Sequence, residues 1–126
     1  MAGRVADPRR RRARRRGRLG EFFCRWHLRL RGWHILARDW RCPAGEIDIV
    51  ARRGRVLAII EVKSRADLAA GITAVAPRQQ RRIARAAEAF LATRPDLATL
   101  AVRFDVMVVS RRRLPRRLAG AWIAEG

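Results

Sequence analysis

Asp48, Glu61 and Lys63 are the residues in this 126-residue chain whose types and spacing could do chemistry together. Asp48 ends the segment Gly45-Glu46-Ile47-Asp48, and Glu61-Val62-Lys63 closes an apolar run that follows a basic turn. Lys63 is the sole lysine, so 29 of the 30 basic residues are arginine. Where arginine serves for almost every positive charge, a retained lysine marks a place for a compact ammonium that a planar guanidinium does not imitate. Chance is the simpler account, because some basic position must be the odd one. The neighbouring carboxylates are what give Lys63 weight.

The elements that must position these residues follow from pattern. Leu19 to Arg31 has helical spacing, with apolar residues at 19, 22, 23, 26 and 30, and Gly32 as its stop. Glu21, Cys24 and Leu28 form a second stripe, so this helix is expected to pack on more than one side. Strands are expected at Trp33 to Arg41, Glu46 to Ala51 and Val56 to Ser64, the last two joined by Arg52-Arg53-Gly54-Arg55. Asp67 to Val75 reads as a loop or short helical piece. Pro77 opens a helix to about Thr93, and Leu100 to Ser110 alternates as a long strand. Arg111 to Arg117 reads as a basic turn, and Trp122-Ile123 as a short final element. The order is that of a mixed central sheet covered by helices, an α/β fold.

A hairpin centred on Arg53-Gly54 would set Asp48 opposite Ile59 and Glu46 opposite Glu61. Glu46, Asp48, Glu61 and Lys63 would then share one face, and Ile47, Ile49, Ile60 and Val62 the other. Asp48 and Glu61 would be diagonal neighbours, roughly 7–8 Å apart at Cα. Crowded acids need a cation, a raised pKa or exposure to solvent. An all-oxygen set suits Mg²⁺ or Mn²⁺ rather than zinc. Such an ion beside a lysine suits phosphodiester hydrolysis, with water activated by the metal and Lys63 stabilising developing charge, positioning water or acting as base.

Taken singly, each piece has an ordinary explanation. Glu61-Val62-Lys63 could be the wet face of a strand, Glu46 a local hydrogen-bonding residue, and Glu21 a helix-start acid favoured by the dipole. The joint occurrence of Asp48, Glu61 and Lys63 across one hairpin is what favours function. Trp26, Trp33, Trp40 and Trp122 read as core or sheet-cover residues, and His27 and His34 as structural.

The net charge of +19 favours a polyanionic partner, nucleic acid before an anionic membrane surface. Arg4 to Arg18 carries nine arginines against Asp7, without an apolar face, so residues 1–17 are expected to be a disordered basic tail and 18–126 one domain. Arg78, Arg81, Arg82 and Arg85 on the second helix, with Arg65 after the lysine, are candidate phosphate contacts. No apolar run is long enough for a membrane span. Cys24 and Cys42 read as free thiols in a reducing cytoplasm.

Asp48, twelve residues, then Glu61-Val62-Lys63 resembles the PD-(D/E)xK nuclease signature. Further segments agree in order: Gly20-Glu21 at a helix head, Gly32 to Arg38, Gly45 to Val50, Glu61 to Arg65, and Arg103-Phe104-Asp105-Val106. Together they resemble the YraN family of small bacterial proteins over roughly residues 18–125. The resemblance implies a restriction-endonuclease-like fold similar to Holliday-junction resolvases. It implies Asp48 and Glu61 as metal ligands, with Glu21 completing the site and the Val62 carbonyl as a further ligand. It also implies Lys63 as the catalytic lysine. Gln79 stands where such enzymes usually carry a lysine, and would orient water or phosphate. The expected activity is metal-dependent DNA cleavage, on branched or damaged DNA. A non-catalytic nucleic-acid-binding module on the same fold is the alternative, and a membrane- or ribosome-associated protein recruited by its tail is a third reading. A monomer and a homodimer are both compatible with the sequence.

Overall fold

In a computed structural model of the chain, residues 8–110 and 113–123 are described, with side chains from Arg18 onward. The elements are α1 (Pro8–Leu30), β1 (His34–Cys42), β2 (Gly45–Arg53), β3 (Val56–Ser64), α2 (Leu68–Thr73), α3 (Pro77–Ala92), β4 (Ala101–Ser110) and β5 (Arg113–Trp122). The strands form one sheet in chain order, antiparallel except for β3 and β4, which run parallel. The parallel pair requires a crossover, and α2 and α3 supply it. The mixed sheet flanked by helices is the expected architecture.

Two apolar layers follow from strand alternation. On one face, Cys24 and Leu28 of α1 pack with Trp33, Ile49, Ala51, Ala58, Ile60 and Met107. On the other, Ile83, Ala86, Ala87 and Phe90 of α3 cover Val50, Leu57, Ile59, Phe104, Val106 and Val108. The α3 residues recur at helical spacing, and Pro77 occupies its first turn, where a missing N–H costs nothing. Asp67 caps α2, accepting from the Ala70 amide at 2.7 Å. A Cβ on Gly71 would overlap Val108 Cγ2, so α2 reaches β4 through glycine. α1 ends in a Schellman turn: the amides of Trp33 and Gly32 donate to Leu28 and Arg29 carbonyls at 3.0 and 3.1 Å, with Gly32 at φ 84°.

Four expectations are corrected. The β2–β3 turn is Gly54-Arg55, with Arg53 facing Val56 and Ile49 facing Ile60. The pairing is therefore shifted by two residues from Asp48 opposite Ile59. An even shift preserves the faces of β3, so Ile60 and Val62 pack on the α1 side while Ile59 packs on the other. Ile47, expected beside Ile49, packs instead on the α3 side, beyond the point where the β2–β3 ladder ends at Ile49. The α1 stripe of Leu19, Phe22, Phe23, Trp26 and Leu30 is exposed, Trp26 included, because the sheet takes only the Cys24–Leu28 side. The expected basic turn is mostly strand: β5 begins at Arg113, and residues 111–112 lie outside the described ones. Of the tail expected at residues 1–17, 1–7 lie outside the described residues, and α1 is traced from Pro8.

Candidate functional site

The site forms where β2 and β3 part. Ladder pairing between them stops at Ile49 and Ile60, and the next free amide, that of Val62, donates to Asp48 Oδ2 at 2.8 Å. The Asp48 side chain thus takes the place of a strand neighbour. One strand contributes both the amide that fixes Asp48 and the flanking residues Glu61 and Lys63.

On the α3 side of Asp48, Gln79 sits in the first turn of α3 and bridges the β3 pair. Its Nε2 donates to Glu61 Oε1 at 2.9 Å, and its Oε1 accepts from Lys63 Nζ at 3.3 Å. Lys63 Nζ also lies 3.4 Å from Glu61 Oε1. Glu61 is buried and Lys63 half-buried, so this pair is poorly screened.

On its other side, Asp48 meets α1 and β1. Carboxylate oxygens of Glu21, Asp39 and Asp48 lie within 4.8 Å of one another. The register on either side of it, Arg38 to Ile49 and Trp40 to Ile47, sets Asp39 across the strand pair from Asp48. Asp39 adopts φ 48°, which few non-glycine residues do. Like charges directly opposed on a sheet are unfavourable, so the arrangement calls for a cation or protons.

The titration behaviour agrees with that geometry. Burial, then the nearby Asp48 charge, raises Glu61 to about 8. Burial, then Asp48, with Asp39 as a hydrogen-bond partner, raises Glu21 to about 8. Asp48 is also raised, chiefly by burial, against the lowering effect of the Val62 amide. Between the two, Asp48 raises Glu61 while Glu61 lowers Asp48. Beneath the acids, the Cys24 thiol is pushed up to about 12 by burial and then by Glu21 and Asp48, which leaves it an inert packing residue.

The structure therefore brings together Glu21, Asp48, Glu61, Lys63 and Gln79. They fall in two groups that share Asp48, rather than around one point. Glu46 stays outside, exposed and ion-paired with Arg41 at 3.4 Å. Arg65, Arg78, Arg81, Arg82 and Arg85 are all exposed; Arg78 flanks Gln79 in the first turn of α3, and Arg65 folds back on the Ser64 carbonyl at 2.7 Å. Asp39 was missed by sequence reasoning. Its signal was available, because counting outward from Pro43-Ala44 pairs Asp39 with Asp48.

The donors are carboxylates alone, close enough to share one ion, with positions left for water; that set fits Mg²⁺ or Mn²⁺. The model for the uncharacterised protein family UPF0102 matches residues 20–109, which takes in α1 from Gly20, the whole acidic cluster and most of β4. A UPF0102 protein of Paramagnetospirillum magneticum is 49% identical over 114 residues, covering 87% of this chain and 88% of the relative. Another, of Parvibaculum lavamentivorans, is 53% identical over 95 residues, covering 75% and 71%. A third, of Bradyrhizobium diazoefficiens, is 46% identical over 120 residues, covering 95% and 90%. With the match running through every element that builds the site, the chain belongs to the UPF0102 family, the YraN family of the sequence resemblance.

Proposed function

We propose that this protein is a metal-dependent nuclease that hydrolyses DNA phosphodiester bonds. The observation that carries the reading is Asp48, inserted where β2 and β3 part, between Glu61-Lys63-Gln79 and Glu21-Asp39. A protein that only bound nucleic acid would gain nothing from clustered carboxylates turned toward a polyanion. Asp48, with Glu21, Asp39 and Glu61 around it, would hold Mg²⁺ or Mn²⁺. When bound, the ion supplies a Lewis acid for the phosphoryl oxygen and a lower pKa for water.

The chain's own groups do the rest. Lys63, held by Gln79 and Glu61, supplies an ammonium for a non-bridging oxygen or for the attacking water. Gln79 fixes both partners through opposite ends of one amide. Hydrolysis forms one P–O bond to water and breaks one P–O bond to sugar, and the leaving oxygen takes up a proton. Arg78, Arg81, Arg82 and Arg85 supply backbone-positioning charge along α3.

The test is cleavage of linear, single-stranded, flapped and four-way-junction DNA with Mg²⁺ or Mn²⁺, comparing the parent with Asp48→Ala and Lys63→Ala. We expect products from the parent alone, with Asp48→Ala retaining DNA binding. Products of equal yield from Asp48→Ala would sink the assignment. Salt-sensitive binding without products from the parent would move the protein to the binding-module reading.

A further inference from the structure

A second charged cluster lies on the α1 face, toward the hairpin end of the sheet. Trp33 is 2% exposed, and three guanidiniums gather over its ring: Arg53 at 4.6 Å from the centroid, Arg117 at 5.1 Å and Arg103 at 5.5 Å. Their placement is fixed. The Schellman turn seats Trp33, and Arg53 Nη1 donates to the Arg31 carbonyl at 3.3 Å. Asp105, fully buried, accepts from Arg103 at 2.8 and 2.9 Å, from Arg117 at 3.2 Å and from the Gly120 amide at 2.9 Å.

The charges do not balance. Each arginine alone could be explained as a cation–π contact, worth about 0.5–2 kcal/mol. Three together repel one another. Among the described residues, Asp105 is the carboxylate that salt-bridges this group, and no salt bridge reaches Arg53. The α1 C-terminus adds about half a negative charge. More than one positive charge remains. Hydrogen-bonding capacity also remains: Trp33 Nε1 and His27 Nδ1 are buried without a partner among the described residues. His27 is close enough to Arg31 and Arg117 to feel their charge.

We propose that the Trp33–arginine cluster is a phosphate-binding subsite that holds the nucleic-acid backbone away from the cleavage site. This rests on nucleic acid being the ligand. Planar forks with spare N–H groups suit phosphate oxygens, and a buried indole leaves no face for base stacking. The parallel register puts Arg103 level with Ala58 and Val106 level with Glu61. Along the strand direction Arg103 thus lies roughly 10 Å from the acids, and Arg53, level with Val56, roughly 17 Å. A duplex strand advances ~3.4 Å per phosphate, so about three to five phosphates separate the cluster from the acids. The subsite would anchor one phosphate while another meets Asp48 from the α1 side, where Glu21 and Asp39 lie.

The experiment is fluorescence anisotropy with duplex DNA in EDTA across a salt series, on the full chain. Arg53 is exposed, so Arg53→Ala should fold, which a thermal melt checks. We expect Arg53→Ala to bind roughly two- to fivefold more weakly, the size of one screened ionic contact. Its log–log salt slope should drop by about 0.9. Arg53→Lys, which keeps the charge, should keep the parent slope. Arg94→Ala, removing an arginine already paired with Asp96, should match the parent. Separately, inorganic phosphate should shift the Trp33 indole N–H resonance, assigned by its loss in Trp33→Phe. Parental affinity and slope in Arg53→Ala would overturn the subsite and leave the nuclease reading standing. A phosphate-induced shift with unaltered DNA binding in that variant would make it a free-anion site and overturn the nucleic-acid assignment. A slope loss in Arg53→Ala from a parent that cuts nothing would support the subsite without the chemistry.

Discussion

At the scale of single residues, the decisive fact is that Asp48, Glu61 and Glu21 hold their protons too tightly for ordinary carboxyls. Glu61 and Glu21 titrate near about 8 in the folded chain, against 4.5 when unperturbed. Between those values the folded state binds more protons than the unfolded state. Stability therefore falls as pH rises across that window, and is greatest, as far as these groups are concerned, below it. Thermal melts in EDTA from pH 5 to 9 should show the decline, and Glu61→Gln should flatten it. Adding Mg²⁺ or Mn²⁺ should raise Tm more at pH 8 than at pH 5, because metal and protons compete for the same oxygens. A parent Tm that rises from pH 5 to 8 in EDTA would contradict the crowding. The sequence made Asp48, Glu61 and Lys63 legible because their types are rare in strands. Asp39 was not, because its role depends on a cross-strand pairing that the eye had not counted.

At the scale of elements, period-two and helical patterns located β1 to β4 and α3 closely, because each carries a regular apolar set. The hairpin register was harder. The residues Arg52 to Arg55 admit a turn centred one residue earlier or later, and only an even shift in pairing leaves the faces of β3 unchanged. β5 was hidden for another reason. Its strand carries Arg113, Arg116 and Arg117, and Pro115 falls at a register shift on an edge strand, where the sheet tolerates proline. Arg117 reaches buried Asp105 at 3.2 Å, a partner twelve residues away that Arg103 also holds. Both apolar stripes of α1 are expected to pack, yet they differ completely in burial, and substitution separates them. Leu28 is 0% exposed, so Leu28→Ala should cost about 2–5 kcal/mol. Leu30 is 77% exposed, so Leu30→Ala should stay within about 0.5 kcal/mol. Denaturant melts of the two variants check this, and similar losses in both would mean that the second stripe is covered in solution.

At the scale of the whole molecule, on the proposed nuclease reading, the net charge of +19 and the acidic cluster divide the work. A strongly positive surface raises the local concentration of DNA without choosing a bond. On the proposed reading the carboxylates would choose, because approach of a phosphate to Asp48 and Glu61 is unfavourable until a cation intervenes. Affinity and chemistry should therefore respond to different substitutions. No helix among the described residues is long and apolar enough to cross a membrane. Replacing Arg9, Arg10, Arg11 and Arg12 with glutamine in the full chain removes charge far from Asp48 in sequence. The salt slope of duplex binding should fall by up to about 0.9 for each arginine that sits on a phosphate. Single-turnover cleavage at saturating protein should keep the parent rate, because saturation compensates for lost affinity and the acids are untouched. A cleavage rate that falls with those arginines under saturation would place them in the chemistry, and would break the division between a basic surface that gathers DNA and an acidic centre that cuts it.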